Sequence, residues 1–288
     1  MKCDLCGKTE FKLLYDLRPY KIYECKFCRL RVTDQGSIKA KKDSEMYSEE
    51  YFKEVHPKFF GVCDKTYPKH IKHSRKLKNF WNVANTISKY VPNKGKVLDI
   101  GCATGVFLDM MKRKGFEPYG VDISDYASKY AKENFGIKMF KGKLEDSKFK
   151  DEFFDVITMW DFIEHVTNPT EVLNIANRLL KKGGMLFILT INDDSLMETL
   201  SRMSYNLGMK KPAEITHPVH HVHHYTDTTL RALLHKTGFQ IIRKERSEMP
   251  LENVEGNLFV KAAYIPLVAM SHLLKKQHEV RVFARKRE

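Results

Sequence analysis

Four residues, Val97-Leu98-Asp99-Ile100, run straight into the turn Gly101-Cys102-Ala103-Thr104-Gly105, and a helix-like stretch opens at Val106. A buried strand that bends on glycine and feeds a helix leaves unpaired amide donors at one edge, where a ligand can be gripped. From Lys96 onward strand-like and helix-like segments keep alternating. Val97–Ile100, Pro118–Asp122, Lys138–Phe140, Phe154–Trp160 and Met185–Ile191 read as strands, separated by helices near Val106–Lys114, Tyr126–Asn134 and Thr170–Leu180. A helix at Asp227–Lys236 then precedes strands at Gln240–Lys244 and Val280–Arg285. The pattern predicts an α/β doubly wound fold, a seven-stranded parallel sheet with helices on both faces. Asp122 ends the second strand, where a carboxylate can hold two ribose hydroxyls.

A second constraint sits at the start of the chain. Cys3-Asp-Leu-Cys6 and Cys25-Lys-Phe-Cys28 are two close pairs separated by eighteen residues. Four soft ligands so spaced match a tetrahedral structural zinc held by Cys3, Cys6, Cys25 and Cys28. Two disulfides are the alternative, disfavoured because Met1–Glu10 is polar and has no secretion leader. The same feature predicts a cytoplasmic protein. Cys63 and Cys102 stand alone and read as small buried side chains.

Three regions follow: a zinc module over residues 1–36, a linker and basic helix over 37–95, and a catalytic-sized domain over 96–288, with an insertion or lid at 193–225. The basic helix fits Lys69–Tyr90, with Ile71, Leu77, Phe80, Trp81, Ala84 and Ile87 on one face. The formal charge is +14, and Lys65–Leu98 carries nine Lys or Arg and no acid. RNA, anionic lipid and acidic glycans are the partners such a surface attracts; a merely solvated helix face is the plain alternative. Ala262–Leu274 is too short to span a bilayer and holds Pro266, so it reads as a packing or interfacial helix. Oligomeric state is not legible.

Taken with Val121-Asp122-Ile123, Phe153-Phe154-Asp155-Val156-Ile157, Glu164-His165-Val166, Asn168-Pro169 and Leu180-Lys181-Lys182-Gly183-Gly184, the glycine turn resembles the class I S-adenosylmethionine-dependent methyltransferases. The likeness is greatest to the ubiquinone-biosynthesis O-methyltransferases and covers about Lys96 to Lys244. It implies that Asp99, Gly101, Cys102 and Gly105 lie beside the methionine part of the cofactor and that Asp122 binds its ribose. It also implies that Leu144 and Glu145 lie near the adenine and that Trp160 closes over the cofactor. A nicotinamide dehydrogenase is disfavoured, since GCATG lacks the GxGxxG spacing.

Methyl transfer to a hydroxyl gains from a base of near-neutral pKa. Candidates lie in Asp161-Phe162-Ile163-Glu164-His165 and in His217-Pro218-Val219-His220-His221-Val222-His223-His224-Tyr225. Similar zinc-module methyltransferases carry a histidine four residues before an aromatic, a pattern that His221 and Tyr225 fit. His221 is therefore the first choice, His165 the second, and Asp161 the accompanying acid; Glu164 and His165 merely tying down a loop is the alternative. Five histidines within eight residues also suit a second metal with Asp193, Asp194 or Glu164, although neighbours on an extended segment point to opposite faces. The expected activity is O-methylation of a small molecule, a sugar, or a glycan or lipid intermediate. An RNA methyltransferase and a catalytically inactive cofactor-binding partner protein are the alternatives.

Overall fold

The computed structural model describes residues 1–34, 47–55, 64–249, 251, 254 and 258–287. Most of the expected linker, Cys63 included, lies outside them. Three strands open the chain: β1 (Phe11–Asp16), β2 (Lys21–Cys25) and β3 (Arg31–Asp34). Helix α1 (Arg75–Tyr90) starts later than the apolar spacing predicts, because Ser74 caps it by accepting the Leu77 amide at 3.3 Å. Tyr67–Lys69, around Pro68, forms a separate 3-10 turn.

The body then alternates as expected: β4 (Gly95–Ile100), α2 (Val106–Arg113), β5 (Phe116–Asp122), α3 (Asp125–Phe135), β6 (Lys138–Lys141), β7 (Phe154–Trp160), α4 (Pro169–Leu179) and β8 (Leu180–Ile191). After α5 (Leu196–Asn206), α6 (Lys211–Thr216) and β9 (His223–His224) come α7 (Asp227–Lys236), β10 (Phe239–Ser247), α8 (Leu258–Leu273) and β11 (Glu279–Lys286). The seven-stranded sheet runs β10-β11-β8-β7-β4-β5-β6. It is mixed: β11 lies antiparallel to both β10 and β8. Ser247 pairs with Glu279, so the segment between β10 and β11 leaves and re-enters at one end of the sheet, which forces the last strand to run backwards.

Each face of this sheet has its own core. Val97, Val156, Phe187 and Phe283 pack under α1 to α3 with Leu77, Ile87, Phe107 and Met110, whereas Leu98, Ile100, Ile157 and Ile188 pack under α4 and α7 with Leu173, Leu230 and Leu233. Adjacent residues of one strand serve opposite faces, as the pleat requires. Two basic residues of this region turn to packing: Lys76 of α1 pairs with Asp161 at 3.0 Å, and Lys94, beyond the helix end, reaches the Ser88 carbonyl at 3.3 Å.

The cysteine ribbon is joined to the body through backbone. β9 adds to β3, giving a second sheet β1-β2-β3-β9. The segment expected as a lid or a packed helical insertion forms α5 and α6 packed on the ribbon: Tyr15, Leu17, Tyr20 and Ile22 bury against Ala213 and Tyr205. Lys236 donates to the carbonyls of Asp4 and Leu5 from the far side.

Candidate active site

The glycine turn is built by geometry that side chains would block. Gly101 has φ 74°, and a Cβ there would meet the Phe162 ring at 2.6 Å. Gly105, at φ 81°, opens α2 against Ile137. Asp122 closes the turn from the neighbouring strand, its carboxylate accepting the amides of Ala103 and Ser124, both at 2.9 Å. Burial raises its pKa against these stabilising amides. Asp99 accepts the Thr158 hydroxyl at 2.6 Å, and burial pushes its pKa up to about 8, with Thr158 lowering and Asp122 raising it.

Cys102 is buried against Met139 and Gly120. The Gly142 amide bonds to the Asp122 carbonyl at 2.9 Å, which brings the turn Leu144–Asp146 beside Asp122; Leu144 is core and Glu145 is exposed. Trp160 shares a face of β7 with Thr158, and its ring lies between Phe80, Phe107 and Phe187. It is buried among these rings, and among the described residues its Nε1–H has no acceptor. The Tyr47 carbonyl accepts the Ser124 hydroxyl at 2.8 Å, and Phe52 stacks on Tyr126, so this segment lies against the start of α3, two residues beyond Asp122.

The segment after β7 links the glycine turn to the histidines. After β7, Asp161 takes φ 46° and pairs with Lys76, Phe162 lies against Gly101, and the His165 amide bonds to the Phe162 carbonyl at 3.0 Å. Glu164 anchors the histidine segment: its carbonyl accepts the amides of Val222 and His223, and its carboxyl accepts Thr190 at 2.9 Å. Burial, then Asp161, pushes that carboxyl up to about 8. His165, His220 and His221 come together, while His217 and His224 join Asp193 in a separate buried group. Burial and His220 lower His165 to about 4, and burial and His165 hold His221 well below 6.5, so both imidazoles are neutral.

The four cysteines also converge. Cys3 and Cys28 sulfurs lie 3.4 Å apart, Cys6 and Cys25 sulfurs 3.6 Å, and all four within 4.8 Å. Tetrahedral metal–sulfur bonds of about 2.3 Å would set ligands about 3.8 Å apart, so the set fits. The knuckles match: Gly7 and Arg29 both take positive φ and return an amide to the carbonyl of Cys3 and Cys25.

Residues 72–244, more than half of the chain, match the family described as Methyltransferase domain. The chain belongs to the methyltransferase domain family. A ubiquinone biosynthesis O-methyltransferase of Actinobacillus pleuropneumoniae is 36% identical over 107 residues, 34% of this chain and 46% of that protein. An uncharacterized protein of Methanocaldococcus jannaschii is 39% identical over 111 residues, 38% of this chain and 51% of its own. The chain thus spans about half the length of the curated relatives it matches. In fold it is similar to a SAM-dependent methyltransferase from Archaeoglobus fulgidus, with TM-score 0.55, 21% identity, and 82% and 100% of the two chains covered.

What sequence reasoning missed in this chain is a buried charge network between ribbon and insertion. Arg31 is bonded to Glu24 at 3.1 Å and to the Asp193 carboxylate. His217 lies 3.0 Å from Asp193 and 3.5 Å from Glu198, and Tyr15 donates to Glu198 at 2.8 Å. Burial works against a charged His217 ring, but Asp193 and Glu198 outweigh it and raise its pKa. No local motif announces Arg31 or Glu198; each is one charge in a polar stretch until the ribbon docks.

Proposed function

We propose that this protein transfers the methyl group of S-adenosylmethionine to a hydroxyl oxygen of a small polar acceptor, a sugar or a glycan or lipid intermediate. The observation that carries the reading is the short path from the glycine turn through Phe162 to two neutral imidazoles. In this reading Asp122 holds the ribose diol, Asp99 with Gly101, Cys102 and Gly105 borders the methionine moiety, and the Leu144–Glu145 turn borders the adenine. Trp160 supports the cofactor from beneath. His221, with His165 beside it, activates or orients the hydroxyl; Asp161 fixes the loop through Lys76. Alignment does most of the work in such a displacement, because the sulfonium is already a good leaving group. The O-methyltransferase relatives support oxygen as the accepting atom. A zinc ion in Cys3, Cys6, Cys25 and Cys28 would be structural, since four thiolates leave no open position.

The test is a screen of nucleotide sugars, phenols, glycan–lipid intermediates and RNA with labelled cofactor. His221→Ala is expected to lower kcat at least 100-fold while calorimetry finds S-adenosylmethionine affinity nearly unchanged. Unchanged turnover removes His221 from the mechanism. Labelled RNA with a steep salt dependence would instead favour the nucleic-acid reading, and binding of the cofactor with no labelled product would favour a non-catalytic partner.

A further inference from the structure

Three of the six clustered histidines have bonds that account for their place. His223 sits between the Val166 carbonyl at 3.0 Å and Asp4 at 2.8 Å, His224 meets Thr33 at 2.9 Å, and His217 meets Asp193. The other three differ. Among the described residues no hydrogen bond is recorded to the rings of His220 or His221, although His221 is 7% exposed. His165 uses one nitrogen, Nδ1, which lies 3.1 Å from the His220 carbonyl. A carbonyl only accepts, so Nδ1 carries the proton and the lone pair is on Nε2, the arrangement that backbone carbonyls impose on ligating imidazoles.

The three rings converge from two chain segments. His165 and His220 are stacked at 5.4 Å, and His221 stands edge-on to both at 4.8 Å. One nitrogen of each lies within 4.8 Å of the others. The turn that brings His220 and His221 to one side is fixed by the His221 amide on the Pro218 carbonyl, 2.9 Å, and by the bonds to the Glu164 carbonyl. Tetrahedral bonds of about 2.1 Å need nitrogens about 3.4 Å apart, a closure of about an ångström that side-chain torsions supply.

We propose that His165, His220 and His221 bind a divalent cation of the zinc, cobalt or nickel class, with a fourth position open toward the methyl acceptor. Three imidazoles without a carboxylate select against magnesium and calcium. The exposed edge of His220 gives the ion a way in. The consequence for catalysis, though not the site itself, rests on the hydroxyl-acceptor reading. An acceptor hydroxyl bound through oxygen to the ion loses its proton to water, so that His221 activates it through the ion and not as a free base. The oxygen pair then attacks the methyl carbon and the carbon–sulfur pair stays on sulfur, so alcohol and sulfonium give ether, thioether and one proton.

Full-length protein stripped with a chelator, refilled with Zn(II) and desalted tests this by metal analysis. His220→Gln and the double variant His165→Gln/His220→Gln are expected to hold one zinc fewer per chain than the unsubstituted protein, with circular dichroism unchanged. Loading with Co(II) reads the donor type independently: the lost ion should carry weak visible bands without thiolate charge transfer, and the thiolate bands should persist. An equal metal content in unsubstituted and His220→Gln protein, or loss of thiolate bands instead, overturns the site. Calorimetry with S-adenosylmethionine on the same samples keeps the two readings apart, because absent cofactor heat would sink the methyl-transfer reading while leaving the metal difference standing.

Discussion

Gly101 shows how one residue type can be dictated by a site. Its left-handed φ costs any other residue about 1–2 kcal/mol, and the Phe162 ring leaves no space for a Cβ. Gly101→Ala is expected to lower stability by at least that amount and to abolish cofactor binding in calorimetry, since Phe162 must move. Asp122→Asn should keep one amide bond and lose most cofactor affinity, about tenfold or more, because charge-assisted bonds to the ribose are replaced by neutral ones. Asp99 gives a pH signature. Its folded value, about 8, lies above its ordinary 3.8, so its contribution to stability is complete below 3.8 and is lost as pH rises through 8. A cationic cofactor favours the ionised carboxyl, so binding releases a proton and affinity should fall as pH drops from 8 to 6; Asp99→Asn should flatten that slope. The histidines were harder to read in the sequence. His223 and His224 alternate across β9 as an extended segment must, one to Asp4 and one to Thr33. His220 and His221 escape alternation because a turn precedes the strand.

At the scale of elements, apolar periodicity located every strand of the large sheet but placed some ends badly. β8 begins at Leu180, not Met185, because Leu180 already pairs with Phe154 ahead of a bulge over residues 181–184, where Lys181 bonds to Asp155 at 2.8 Å. β11 was found, yet its direction was not, since direction depends on which end of the sheet the preceding connection leaves from. β9 is a strand of two residues that no pattern marks, and it exists because β3 offers an unpaired edge. That pairing would make a metal held by the ribbon cysteines a matter for the whole fold. Cys28→Ser is expected to lower the thermal midpoint by several degrees and to increase hydrogen exchange at Arg31–Asp34 and His223–His224 together.

Across the whole molecule, the ribbon and the methyltransferase body meet at buried charge, not only at apolar surface. Arg31, Glu24, Asp193, Glu198 and His217 neutralise one another away from water. Removing one member strands the rest: Arg31→Met should cost about 3–5 kcal/mol in urea unfolding. The network carries a pH dependence of known sign. His217 is raised above its unfolded value, so its share of stability is complete below that value, near 6.5, and is lost as pH rises through the folded one. His217→Gln should remove this part of the profile. Because the same strand pairs with β9, strain at Arg31 reaches the histidine segment that borders the proposed acceptor site.

The strands of the large sheet, though not the direction of the last, the glycine turn with its two acids, and the cysteine pairs were determined by the sequence alone, since each rests on short-range rules of period, spacing and backbone freedom. Tertiary structure decided the rest. Which histidines share a group, where Trp160 packs, and whether Arg31 has a partner depend on segments far apart in the chain, Asp4 beside His223 and Arg31 beside Asp193. Only docking of the ribbon removes the water that would otherwise screen those charges, and that is a property of the assembled fold.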